Sequence, residues 1–254
     1  MITRRAFARI AAVGGAVAAV GGTSTEAVAA PARNPAAVVL VHGAYADGSC
    51  WADVIPLLQA HGVEVSSVQN PLTSLADDAA ATRRILDQQT KPTVLVGHSY
   101  AGSVISEVGH HPAVRSLVYL SARAPEAGED YPALAARFPT PPASAGLVFV
   151  NGFGHLTEDA FLRHFANGVH PTRAKALHAV QGHIAQTLFG TRTTAAAWRS
   201  KPTRYLVTTD DRTTSPELQR FVARRMGAVT TEIASGHLSM ITQPRAVAKL
   251  VLDA

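Results

Sequence analysis

One cysteine, Cys50, stands in 254 residues. It excludes an internal disulfide framework and any zinc site built on cysteine pairs. Charged residues are scarce, at 16% against 47% hydrophobic, which excludes the composition of an intrinsically disordered chain. The 19 glycines and 15 prolines follow no fixed period, so collagen-like and low-complexity classes are out. No apolar run reaches the eighteen or so residues expected of a membrane-spanning helix. The histidines show no H-E-x-x-H spacing, and neither a metal nor a cofactor is expected. Lysine and arginine form no dense run and do not interleave with aromatics. The net charge of +5 therefore does not read as a nucleic-acid surface.

Part of that charge belongs to the first thirty residues. Arg4, Arg5 and Arg9 precede a Gly/Ala/Val run from Ile10 to Gly22, and small residues end the segment at Ala29 and Ala30. A basic start, a short apolar middle and a small-x-small end make a signal peptide over 1–30. Thr3-Arg4-Arg5-Ala6-Phe7 resembles the twin-arginine export signal, implying passage through that machinery and a secreted or extracytoplasmic destination. Cleavage there takes away three arginines and one glutamate and lowers the net charge to +3. The remaining 31–254 reads as one domain; nothing in it indicates an oligomeric state.

Within that domain, strand-length apolar runs alternate with amphipathic segments. Strands are expected at 37–41, 63–68, 93–96, 116–120, 204–208 and 229–233. Helices are expected at 50–60, 75–89, 101–108, 216–225 and 244–252. In the second helix Ala80, Ile85 and Leu86 are read as inward, and Asp77, Asp78, Arg83 and Arg84 as outward. Strand–helix repeats imply right-handed crossovers and a doubly wound, mostly parallel sheet with helices on both faces. The rhythm breaks over 123–200, where prolines and helical segments read as a cap insertion over one end of the sheet, with strand character only at 147–150.

Gly97-His98-Ser99-Tyr100-Ala101 lies between a buried strand and a helix. A serine with small residues two positions either side is the nucleophile-elbow pattern, because strand and helix backbones must approach closely beside a strained turn. The turn sets the hydroxyl at a helix N-terminus, which favours developing negative charge. Asp210 and Asp211 follow one later strand and His237 follows the next, giving the order Ser, acid, His. Both lie at carboxyl strand ends, where such sheets put their sites. An oxyanion hole is expected from the backbone N–H of Tyr100 and that of Ala44, with Tyr45 as the alternative. Gly43 is expected to turn the chain toward the site.

Four stretches carry a resemblance to the α/β-hydrolase superfamily: LVHGAYADGSCW (40–51), VLVGHSYAGSVI (94–105), DDRTTSPELQ (210–219) and SGHLSM (235–240). The chain is most similar to the branch with plant methyl-ester hydrolases, hydroxynitrile lyases and uncharacterised bacterial hydrolases. The resemblance implies an α/β-hydrolase fold and a catalytic Ser99, Asp211 and His237, the acid standing five residues before Pro216. Lyases of this branch have threonine and lysine where this chain has Gly43 and Leu238, which favours hydrolysis of a small-molecule carboxylic ester. A cofactor-free peroxidase or lyase, or a non-catalytic binding protein, are the alternatives.

Other residues have quieter readings. Gly43, Tyr45 and Leu238 are candidates for the substrate pocket. Tyr45, Phe153, Phe161, Phe165 and Phe189 suit either an acyl pocket or the core. His42 is expected to brace the oxyanion loop and His98 to pack against the sheet. Cys50 is expected to be a buried structural thiol.

Overall fold

The computed structural model describes residues 34–254; the expected signal peptide lies outside the described residues. Runs of β-branched and aliphatic side chains form the central strands, which are buried on both faces. β1 (Ala37–Val41) is buried throughout. β2 (Glu64–Val68) follows, then β3 (Thr93–His98), buried along its whole length, and β4 (Val114–Leu120). After the insertion come β5 (Leu147–Val150), β6 (Phe153–Leu156) and β7 (Ile184–Ala185), then β8 (Thr203–Thr208) and β9 (Val229–Ile233). Six of these make one sheet in the order β2-β1-β3-β4-β8-β9, and every pairing within it is parallel. The chain moves from β1 outward to β2, then returns to place β3 on the other side of β1. That reversal opens a crevice at the carboxyl ends of β1 and β3.

The insertion runs between β4 and β8. Besides helices at Tyr131–Ala135 and Pro171–Ala179 it holds an antiparallel sheet, β5-β6-β7. The β5–β6 turn is Asn151-Gly152, both with positive φ, as a tight hairpin requires. The sequence pattern marks only β5 of these three strands, because β6 (FGHL) breaks its apolar run with a glycine and a histidine and β7 has only two residues.

Two expectations for the helices change. The run 50–60 is not one helix: a 3-10 turn at Gly48–Trp51 is followed by a short helix at Ile55–Gln59. Pro56 has no N–H to donate and is accommodated only in a first turn, so the helix starts there. In the helix Leu75–Leu86, Asp78 points inward and is fully buried, while Ala80 and Ile85 are half-buried. Asp78 shares the stripe of Leu75, Ala79, Thr82 and Leu86, and its charge is met by donors described below. The helix Pro216–Met226 has Ser215 as N-cap and Gly227 in the left-handed conformation at its end, an ordinary start and stop.

Candidate active site

Ser99 follows β3 directly and has φ +54, a conformation that costs a non-glycine residue on the order of 1–3 kcal/mol. Three main-chain hydrogen bonds hold it. Its N–H donates to the Leu120 carbonyl at 3.1 Å, and its carbonyl accepts from Gly102 at 3.1 Å and Arg123 at 2.9 Å. The small residues around it have separate reasons. A Cβ on Gly97 would stand 2.9 Å from the Ala101 carbonyl oxygen, and one on Gly102 would collide with the Arg123 carbonyl oxygen. Gly102, beyond the five-residue motif, is thus as strictly confined as Gly97.

The loop after β1 comes to the same place. Gly43 does not adopt a left-handed conformation; Tyr45 does, at φ +61. Gly43 is instead needed for close approach, since a Cβ there would stand 2.8 Å from Ser99 Cβ. The backbone N–H groups of Ala44, Tyr45 and Tyr100 are taken up by no other group among the described residues. His42 braces this loop as expected: its Nδ1–H donates to the Gly43 carbonyl at 2.9 Å, and its Nε2 accepts the Asn70 N–H at 2.9 Å. Burial holds its pKa below the usual range, consistent with that neutral tautomer.

Asp211 and His237 meet at the ends of β8 and β9. His237 Nδ1–H donates to Asp211 Oδ2 at 2.7 Å, and both side chains are fully buried. The same Oδ2 accepts from Thr208 Oγ1 at 2.9 Å and Gln219 Nε2 at 2.8 Å. Oδ1 accepts the N–H groups of Thr213 and Thr214 at 2.8 and 2.9 Å. A carboxylate with five donors is fixed in place. Asp210 stands apart from this pair: its side chain is exposed, and only its main chain joins the network. His237 Nε2 is buried without a hydrogen-bond partner, and Ser99 Oγ donates to no group among the described residues. Catalytic hydrogen bonds are often long before substrate binds.

Two contributors escaped the sequence reading. His98 does more than pack against the sheet: its Nε2–H donates to the His237 main-chain carbonyl at 3.0 Å, and the two rings lie 4.5 Å apart. Burial, and secondarily the neighbouring His237, drive its pKa well below the usual value. Asp78 accepts the Leu72 N–H through Oδ1 and the Tyr100 phenol through Oδ2, both at 2.8 Å. Burial raises its pKa. The stripe position of Asp78 in its helix is the signal that could have found it.

Above Ser99 lies a cavity of about 300 Å³. Its floor includes Ala44, Tyr45 and Tyr100, and the insertion supplies much of its wall, including Leu147, Leu156, Ile184 and Phe189. Of the candidate pocket residues, Tyr45 lines it and Gly43 abuts Ser99, but Leu238 does not. Leu238 is buried beside a separate small recess with Phe161 and Phe165, because the turn after His237 packs it toward the core. Phe165 instead faces His237, 5.4 Å between rings. Phe153 is partly exposed on the hairpin. Cys50 is buried, and burial pushes its thiol pKa up. Among the described residues, no group of three or more His, Cys, Asp or Glu side chains is arranged to hold a metal ion.

A model of the alpha/beta hydrolase family matches residues 38–250. A carbendazim hydrolyzing esterase of Nocardioides sp. (strain SG-4G) is 34% identical over 129 residues, 45% of this chain and 52% of that protein. A pyrethroid hydrolase of Sphingobium wenxiniae (strain DSM 21828 / CGMCC 1.7748 / JZ-1) is 32% identical over 98 residues, 34% of this chain and 35% of that protein. The matches thus span about half and a third of those two relatives. The crystal structure of polyneuridine aldehyde esterase superposes with a TM-score of 0.74 at 20% identity, over 86% of this chain and 98% of that one. At that identity the likeness is one of fold.

Proposed function

This chain belongs to the alpha/beta hydrolase family, and we propose that it is an exported serine hydrolase of carboxylic esters with Ser99, Asp211 and His237 as its triad. The observation that carries the reading is the 2.7 Å hydrogen bond from His237 Nδ1–H to a fully buried Asp211, with Nε2 left unpaired at the end of the sheet where Ser99 stands. That bond fixes the tautomer in which Nε2 is the base.

In this reading Ser99 Oγ attacks the ester carbonyl and gives its proton to His237 Nε2. Asp211 stabilises the imidazolium without taking the proton. The carbonyl oxygen becomes an oxyanion held by the N–H groups of Tyr100 and Ala44; each such donor is worth about 3–4 kcal/mol in the transition state. Ala44 is favoured over Tyr45 because Gly43 abuts Ser99 Cβ, which brings the peptide between residues 43 and 44 beside the serine. Collapse expels the alcohol, which takes the proton from His237 and leaves an acyl-Ser99. Water, deprotonated by His237, then attacks the acyl carbon and releases the acid and Ser99. The names of the curated relatives, an esterase and a pyrethroid hydrolase, support the same class of reaction.

The test is p-nitrophenyl ester hydrolysis by the wild type and Ser99→Ala, together with fluorophosphonate labelling. Labelling at Ser99 and turnover lost in the variant support the reading; no turnover and no labelling in the wild type overturn it. Export rests on the twin-arginine pattern at Arg4 and Arg5. Fractionation of cells carrying wild type or the Arg4→Lys/Arg5→Lys double variant tests it; the variant should stay in the cytoplasm, and equal export would refute it.

A further inference from the structure

Among the described residues, Arg123 is the one charged residue lining the cavity above Ser99, and no carboxylate, lysine or histidine lines it. Arg123 is tied to the elbow through its main chain, whose N–H donates to the Ser99 carbonyl at 2.9 Å. Its half-buried side chain has an unusual environment for this protein. Of the other half-buried arginines, Arg173, Arg220 and Arg225 each hold a carboxylate, and Arg115 and Arg204 donate to main-chain carbonyls; arginines without a side-chain partner, such as Arg83, Arg84 and Arg212, are exposed. The Arg123 guanidinium has neither an ion pair nor a hydrogen bond with any other group among the described residues. It lies over two aromatic faces: Tyr100 at 5.9 Å and Tyr131 at 5.4 Å from ring centroid to guanidinium carbon. Asp78 is engaged by the Tyr100 phenol and by the Leu72 N–H.

A guanidinium drawn partly out of water without an acceptor is costly, and aromatic faces offset only part of that cost. Its five N–H donors suit a carboxylate, which two of them can bind side by side. The rest of the cavity wall is largely apolar and suits an aliphatic chain. A neutral ester filling the space would strip water from Arg123 and return no acceptor. An ester with a second, ionised carboxyl group would supply the missing counter-charge.

We propose that Arg123 determines specificity by receiving a substrate carboxylate, so that the preferred substrates are half-esters of aliphatic dicarboxylic acids. The proposal rests on Ser99 being the nucleophile, as argued above. A charge-assisted pair of this kind discriminates by roughly 10–100-fold.

The experiment compares monoethyl adipate with ethyl hexanoate, similar in length and differing in the carboxylate, by acid release in a pH-stat. Wild type, Arg123→Leu and Arg123→Lys are measured. The wild type should favour the half-ester by roughly 10–100-fold in kcat/KM. Arg123→Leu should bring that ratio close to one, chiefly through KM for the half-ester, and Arg123→Lys should restore part of it. An unchanged ratio overturns the proposal. So does an equal loss on both esters, which would make the guanidinium part of the elbow or the oxyanion site. A binding arm needs no turnover: thermal stabilisation of the Ser99→Ala protein by adipate should vanish when Arg123→Leu is added. If neither ester is cleaved and Ser99 is not labelled, but adipate still stabilises through Arg123, the esterase reading fails while the anion site stands.

Discussion

His98 Nε2–H donates to the main-chain carbonyl of His237 at 3.0 Å, tying the residue before the elbow serine to the residue proposed as the base. The two are 139 positions apart in the chain. The bond leaves His98 Nδ1 without a partner, and burial favours the neutral form of the ring. Replacing His98 by alanine should loosen the His237 backbone and lower kcat by roughly tenfold, the loss of about 1.4 kcal/mol. Fluorophosphonate labelling kinetics at Ser99 would check it; a rate equal to wild type would show that the bond does not position His237.

The same burial gives stability a pH dependence. His98 and His42 have folded-state pKa values below 6.5, through burial first of all. The unfolded chain takes up protons on these rings as pH falls below about 6.5, while the folded chain resists. Stability from these two groups is therefore full above that pH and declines as pH falls toward their folded pKa values. Urea midpoints from pH 7.5 to 5.5 should fall, and the His98→Gln protein should lose less over that range.

Asp78 works with the opposite sign. Its folded pKa lies above the ordinary carboxylate value of 3.8 because burial disfavours its charge. The folded state then holds its proton to higher pH than the unfolded state. Its contribution is most favourable below 3.8 and declines as pH rises through the folded pKa. Asp78→Asn keeps an acceptor for Leu72 and lets the Tyr100 hydroxyl accept instead of donate. Its stability relative to wild type should rise with pH across that window; a pH-independent difference would count against a buried ionisable Asp78.

Gln219 is fully buried and joins Asp211 to the Thr208 N–H, which it accepts at 3.0 Å, and to the Thr214 carbonyl, to which it donates at 2.9 Å. Gln219→Met fills similar space and orphans those groups, at about 1–3 kcal/mol. The expected result is a Tm lower by several degrees, at about 2–4 °C per kcal/mol, and a lower kcat with KM little changed. Thermal melts and ester kinetics on one preparation would separate the two effects.

Gly102→Ala tests the close approach behind the elbow. The added methyl meets the Arg123 carbonyl oxygen, which is backbone and cannot swing aside. Overpacking costs about 1–3 kcal/mol even against side chains. The variant should melt below wild type and label slowly at Ser99, whereas Gly190→Ala, with open space around its Cβ, should do neither.

Much of the site was legible because its signals are local. Val94-Leu95-Val96 before Gly97 and the helix after Ser99 are read from adjacent residues, and the strand-end positions of Asp211 and His237 follow from the same alternation. What was not legible depends on contacts between distant segments. The sequence reading took Asp78 as outward because carboxylates are usually solvated. It is inward because Tyr100, 22 positions away, and the Leu72 N–H satisfy it. Leu238 follows His237 directly but turns toward the core, since side chains around a tight bend face different ways.

The linear pattern of apolar runs, small residues and the order Ser, acid, His determined the fold class and the residues that carry the proposed chemistry. Hydrophobic periodicity and turn stereochemistry are short-range and can be read one segment at a time. Tertiary structure alone decided what steadies the base, why Gly43 must lack a side chain, and that Arg123 stands without a counter-ion beside Ser99. Each depends on which groups the folded sheet brings within hydrogen-bond or ion-pair reach, and burial then sets the energetic weight of each contact.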